Sequence, residues 1–205
     1  MECHNLGGEL FRLVNVYLQE NGLKLNRGTI VDATIIDAPR STKNKARQRD
    51  PDMKSTQKGG QWYFGMKAHI GVDSQTRLIH SVRVTSTNVH DSQVLGGLLH
   101  GEEQRVYGDS AYTGQKSQIK AGAEQAKDFT HKRGRRNHPL TEKERQESRN
   151  KSKIRPRVEH LFGVIKHQFG YRKVRYKRLT KNAQAVFTKC ALTNLFLARR
   201  HLMTI

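Results

Sequence analysis

The chain of 205 residues is short of several things, and each shortage narrows what it can be. It has two cysteines, Cys3 and Cys190, far apart and outside any CxxC pair. Neither a disulfide framework nor a zinc ribbon fits that, and a reducing cytoplasm does. No apolar run approaches the roughly 20 residues of a membrane span. The opening MECHNLGGEL lacks a basic n-region and an apolar h-region, so no signal peptide is expected there. No internal repeat is visible. Acids are scarce: Asp+Glu is 18 against a Lys+Arg of 38, a net charge of +20. An excess of that size predicts a polyanionic partner, nucleic acid first. A membrane surface fits less well, because the basic residues are not confined to one amphipathic helix.

The length suffices for one domain with a full core. Residues 8–20 place Leu10, Val14 and Leu18 at helical spacing with Phe11 beside them, and Asn21-Gly22 ends that helix. The run GTIVDATIID (28–37) is β-branched and predicts a buried strand, stopped by Ala38-Pro39. Residues 40–60 are polar and mostly basic, and predict a long mobile loop. Residues 61–73 and 77–87 predict a hairpin turning near Asp73-Ser74-Gln75. A helix is expected over 88–100, a short strand in 104–112 that ends at Gly108-Asp109, and a long amphipathic helix over 182–203. Residues 131–157 hold eleven Lys/Arg against three Glu. The order strand, hairpin, helix, strand, helices predicts an α/β domain with a mixed sheet flanked by helices.

Three acids stand out in so basic a chain. In IRPRVEHLFGVIKHQFGYRK (154–173), Glu159 sits alone among seven Lys, Arg and His residues. At 100° per residue, Val158, Leu161, Phe162, Ile165 and Phe169 form an apolar stripe. Glu159 and Lys166 fall on one line at its edge, with Gly163 between them. The direction of Arg155 is open, because Pro156 occupies the first turn. From this helix alone an ordinary ion pair of Glu159 with Arg155 or a neighbour, contributing about 0.3–0.5 kcal/mol, is the better explanation. Lys166 is equally an exposed lysine on a basic helix.

Asp32 lies inside the apolar strand, sharing a face with Thr34 and Ile36. A charge there is costly unless it is paired or binds a metal. Asp37, of opposite parity, suits a turn. Asp109 follows the strand YGD, where α/β sheets line their ligand crevice, although Gly-Asp-Ser is also good turn chemistry. Together, Asp32, Asp109 and Glu159 suit a carboxylate site for hard cations such as Mg²⁺ acting on a phosphodiester. His69, His80 and His90 supply no recognisable zinc spacing, so structural or surface roles are expected. Trp62 and Tyr63 suit the core better than base stacking. His160 and His167 face outward. The segment 171–181, with Arg172, Lys173 and Arg175, suits phosphate contact.

These residues resemble the DDE transposases of bacterial insertion sequences, specifically the insertion-sequence-five group. The matches are VDATIIDAP, GGQWYFGMKAHIGVD, NVHD, YGDSAY, RPRVEHLFGVIKHQFGYRKVRY and KNAQAVFTKCALTNLFLARR. The family's signature of Tyr, Arg, Glu and Lys at fixed spacing is met by Arg155, Glu159 and Lys166, with Ser152 where the Tyr stands. The resemblance implies a ribonuclease H-like fold, with Asp32, Asp109 and Glu159 as catalytic acids holding two Mg²⁺ ions, Mn²⁺ being able to substitute. It implies DNA contact by Arg155 and Lys166. It implies strand cleavage and transfer on DNA, both transposon ends and target, by a homodimer in the bacterial nucleoid, with no membrane. Relatives carry a larger helical region before the first catalytic strand. The expected division is therefore a helical remnant over 1–27 and a catalytic domain over 28–205. An inactive DNA-binding remnant is the alternative.

Overall fold

Strand β1 (Gly28–Asp37) runs through the middle of a mixed sheet. It pairs antiparallel with β3 (Gln61–Asp73) on one edge and parallel with β5 (Arg105–Tyr107) on the other. β6 (Lys127–Asp128) extends the parallel side. The far edge of β3 is shared end to end by β2 (Lys54–Lys58) and β4 (Ile79–Ser86), both antiparallel. The computed structural model describes residues 5–23, 25, 27–45, 47–131, 141–152, 154 and 156–204, and these six strands are those of the described residues. Helices cover the sheet in the mixed α/β arrangement that the element order predicts, consistent with the ribonuclease H-like fold that the resemblance implies.

The two faces of β1 belong to different cores. Ile30 and Ile36 join the larger one, with residues of α1 (Leu6–Glu20), α4 (Pro156–Gly163) and α5 (Leu179–Leu202). Val31 joins a smaller one with Leu95, Leu98, Val106, Tyr112 and Ile119. By strand alternation Asp32 therefore shares the face on which α4 packs. Val158, Leu161 and Ile165 are essentially fully buried there. At about 1.5–3 kcal/mol per fully buried aliphatic side chain, this stripe outweighs any exposed ion pair in setting the helix's orientation.

In α1, Phe11, Val14 and Leu18 are buried and Leu10 is not. Phe11 packs against Phe187 of α5, ring centres 6.0 Å apart. Gly7 is where the two helices touch: a Cβ there would stand 2.4 Å from the Gln184 carbonyl oxygen. The buried Asn194 fixes α5 to β4, its Oδ1 accepting the Ile79 N–H at 2.9 Å and its amide donating to the Ile79 carbonyl at 2.7 Å.

Several expected elements differ. The loop predicted over 40–60 is folded at its end, where β2 pairs with β3 from Lys54 to Lys58. Asp50 and Asp52 anchor the residues before it, accepting the N–H groups of Arg178 and Leu179 at 2.6 and 3.0 Å at the start of α5. The scarce acids of this basic stretch thus sit at a helix N-terminus, where the dipole favours them. The helix expected over 88–100 is a 3₁₀ helix, Asp91–Leu98, in which two glycines weaken α-propensity. The strand expected to end at Gly108-Asp109 spans Arg105–Tyr107 and does end there. Helices α2 (Lys116–Gly122) and α3 (Glu142–Ser152) were not expected from the pattern. Trp62, expected in the core, is 59% exposed beside the β2–β3 turn.

His69 lies fully buried on β3, its Nε2 2.8 Å from Thr85 Oγ1. Burial lowers its pKa from 6.5 to about 4, with Asp91 opposing and Lys67 reinforcing. Between those values the unfolded chain binds a proton that the folded chain refuses. Stability from this group is therefore complete above about pH 6.5 and is lost as pH falls towards 4. The melting temperature is expected to drop between pH 7 and 4.5, and less steeply in His69→Gln. Parallel pH profiles for the two proteins would contradict this.

Candidate active site

The parallel strand β5 ends at Tyr107 beside Ile30 of β1, two residues before Asp32, and the chain turns just beyond β5 at Gly108-Asp109. A side chain at position 108 would meet Tyr112 and Val31 at 3.0 and 3.1 Å, so the turn stays tight. Asp109 Oδ1 accepts the Ala111 N–H at 2.8 Å and caps the 3₁₀ turn Ser110–Tyr112. The turn role read from Gly-Asp-Ser is real, and the same carboxylate also borders a cavity. Asp32 and Asp109 line that cavity together, with Phe129, His131 and Ile154. Asp32 Oδ1 accepts the Ala33 N–H at 2.8 Å. Beside them, burial raises the pKa of the Tyr112 phenol, and the charges of Asp91, Asp32 and Asp109 add to the rise. The phenol therefore stays protonated among three carboxylates. Two hard oxygen donors on one cavity wall are suited to a hard divalent cation.

Glu159 lies on α4, which packs against β1 on the face that Asp32 shares. It is exposed, rather than at the rim of the core as the helical wheel predicts. The expected straight line from Glu159 to Lys166 also breaks. The α-helix ends at Gly163, and Val164–Gln168 form a π-helical turn. Such a turn rotates later side chains relative to earlier ones. Lys166 is half-buried, which lowers its pKa, while Asp37 opposes and Lys58 and Arg172 add to the fall. It therefore neighbours the end of β1 at Asp37. Arg155 lies outside the described residues, and Ser152 closes α3.

The segment after the π-turn is held to that same strand end. The Asp37 N–H donates to the Arg172 carbonyl at 3.3 Å, and the Val174 N–H donates to the Asp37 carbonyl at 2.9 Å. Lys173 is bridged in parallel to Asp37 and lines a groove with Arg40, Gln61 and Tyr63. Arg172, Lys173 and Arg175 are all exposed. Asn182, fully buried, frames this segment from α5. Its Oδ1 accepts from Tyr171 Oη at 2.9 Å and from the Arg175 and Tyr176 N–H groups at 3.3 Å. Its amide donates to the Tyr176 and Arg178 carbonyls, each at 2.7 Å.

Asn182→Ala leaves several of these groups without a partner, at about 1–3 kcal/mol for each one that stays buried. A fall in melting temperature of roughly 5–15 °C is expected by thermal scan, with weaker DNA binding. A variant matching wild type in both would contradict the framing role.

His131 was not singled out from the sequence. It opens a basic run with no periodicity, and only the fold brings it to the cavity. Its N–H donates to the Gly108 carbonyl at 3.1 Å, and its own carbonyl accepts from Thr113 Oγ1 at 2.6 Å. The segment is thereby drawn alongside β5 and Asp109.

A family model described as "Transposase DDE domain" matches residues 24–195. The chain belongs to the DDE transposases. The fold of this DDE domain is also similar to a piggyBac transposase, solved by cryo-EM as a synaptic complex with hairpin DNA. The TM-score is 0.56 at 12% identity. The match covers 94% of this chain and 55% of that one, so the DDE transposase described here spans about half the length of its structural relative. At that identity the likeness concerns the fold. Among the described residues no helix is long and apolar enough to cross a membrane.

Proposed function

We propose that this chain is the catalytic portion of a bacterial insertion-sequence transposase of the insertion-sequence-five group, cutting DNA at the element's ends and joining them to target DNA. One observation carries the reading: Asp32 of β1 and Asp109, just past the end of the neighbouring parallel strand β5, share a cavity, and the helix bearing Glu159 packs on the face of Asp32. The net charge of +20 supports a polyanionic substrate. The similar piggyBac transposase was solved on hairpin DNA, which supports DNA as the partner class. The active complex is a homodimer working in the nucleoid.

Asp32, Asp109 and Glu159 are the residues that hold two Mg²⁺ ions, or Mn²⁺ in their place. When bound, such ions supply a nucleophile at neutral pH and counter-charge for the phosphoryl oxygens. The chain's own residues bring the substrate there. Exposed Arg172, Lys173 and Arg175 bind backbone phosphates, which gives affinity without sequence choice. Lys166 and Arg155 add further contacts to the DNA backbone, and exposed Trp62 offers a stacking surface. In the first step a water oxygen bonds to phosphorus, the bond to the leaving strand breaks, and a 3′-OH is freed. In the second step that 3′-OH bonds to a target phosphorus as the target's own 3′ oxygen leaves. One P–O bond forms and one breaks each time, and the nucleophile's proton passes to solvent.

A labelled duplex bearing the cognate element's end tests this reading. Nicking to a 3′-OH product with Mg²⁺ or Mn²⁺ is expected. Salt-sensitive binding with no cleavage under either metal would leave a DNA-binding protein and overturn the enzymatic reading.

A further inference from the structure

DNA cleavage makes no use of a second cluster, at the opposite ends of the same strands. His80 lies near the start of β4, and His100 and Glu103 lie on the loop that leads into β5. Thr29, near the start of β1, sits among them, three residues before Asp32 and on the other face of the strand. One ligand atom from each of His80, His100 and Glu103 lies within 4.8 Å of the other two.

The chemistry of the cluster is unbalanced as it stands. Glu103 is 1% exposed, and among the described residues no Lys or Arg forms an ion pair with it. A carboxylate buried that deeply calls for positive charge. His100 Nε2 is buried with no hydrogen-bond partner, 3.5 Å from Glu103 Oε1. Tetrahedral zinc bonds imidazole nitrogen and carboxylate oxygen at about 2.0–2.2 Å, which sets neighbouring ligand atoms about 3.4 Å apart. The His100–Glu103 spacing already matches.

The surroundings orient these ligands. Glu103 accepts the N–H groups of His100 and Gly101 at 2.7 and 2.8 Å, and the Thr29 hydroxyl at 3.1 Å. His80 Nδ1 is engaged by Ser81 Oγ at 2.9 Å, leaving Nε2 towards the cluster. Outer partners of this kind fix the ring and tautomer of a metal-bound histidine.

We propose that His80, His100 and Glu103 bind one divalent cation of the zinc class, at a site separate from the carboxylate cavity. Two imidazoles and one carboxylate select zinc and its neighbours over Mg²⁺, which prefers oxygen alone. Two existing contacts yield to the ion. The Thr29 hydroxyl, 3.1 Å from His80 Nε2, gives up its bridging place. The proton of His100 moves to Nδ1, exchanging a 3.3 Å contact with the Glu102 N–H. Water completes the coordination. The ion links β4 to the loop before β5 and so staples the starts of the central strands.

The test uses the full chain, stripped with a chelator, reloaded with Zn²⁺ and dialysed. Metal content is read by mass spectrometry and folding by circular dichroism. One Zn²⁺ per chain is expected in wild type and in Asp32→Asn/Asp109→Asn. Its loss is expected in His100→Gln and in His80→Ala. Co²⁺ in place of Zn²⁺ is expected to give the intense visible bands of tetrahedral coordination in wild type. These decide the matter if the histidine variants do not fold. No stoichiometric zinc in wild type, zinc retained in folded His100→Gln, zinc lost in the carboxylate double variant, or a weak octahedral Co²⁺ spectrum would each overturn the proposal.

Discussion

Asp109→Asn is expected to stop DNA cleavage while leaving the fold and DNA binding close to wild type. A bound metal contributes several kcal/mol of transition-state stabilisation, and each ~1.4 kcal/mol is tenfold in rate. Losing a carboxylate ligand should therefore slow cleavage on the order of a thousandfold or more. Asparagine is the informative replacement, because Asp109 also caps a turn through the Ala111 N–H. An asparagine side-chain oxygen can keep that hydrogen bond, whereas alanine loses it at about 1 kcal/mol. Asp109→Asn should thus match wild type in melting temperature, and Asp109→Ala should fall slightly below it, with both equally inactive. Cleavage near the wild-type rate in Asp109→Asn would remove this residue from the site.

The second large effect is expected on binding rather than chemistry. Replacing Arg172, Lys173 and Arg175 together by alanine removes three exposed charges from the segment bridged to the end of β1. Each phosphate contact contributes roughly 0.9 to the slope of log K against log salt on duplex DNA. The slope should become shallower by up to about 3, with affinity weaker by one to three orders of magnitude at low salt. The loss should be similar for any DNA sequence, because phosphate contacts carry no sequence information. The cleavage rate at saturating DNA should change little. An unchanged salt slope would place the DNA elsewhere on the surface.

The parts of this picture that were legible in the sequence are those where local pattern and tertiary packing agree. The parity of β1 put Asp32 on the face of Ile36, and Ile36 is buried in the core that includes α4. Of the predicted apolar stripe, Val158, Leu161, Phe162 and Ile165 are buried, while Phe169, beyond the π-helical turn, is half-buried. The hairpin of β3 and β4 forms where alternation and the Asp73 turn place it, with Asp73 Oδ1 accepting the N–H groups of Gln75 and Thr76 at 2.9 and 2.7 Å.

What escaped was set by partners distant in sequence. Lys-Ser-Thr-Gln-Lys has no apolar alternation, and β2 exists because β3 offers it an edge. Trp62 looked like a core residue on composition, yet that same turn carries it to the surface. The π-helical turn after Gly163 redirected Lys166, and no periodicity at 100° per residue reveals such a turn. His80, His100 and Glu103 have no recognisable ligand spacing, because the pairing of β3 with β4 and of β1 with β3 and β5, not a local motif, brings them together.

Glu159 is expected to act with Asp32 and Asp109 in one metal-dependent centre. Cleavage of labelled end DNA by wild type and by folded Glu159→Ala, each with Mg²⁺ and with EDTA, tests it most directly. Product formed only by wild type, and only with Mg²⁺, is the predicted result. Cleavage that persists in Glu159→Ala, or in EDTA, would contradict it.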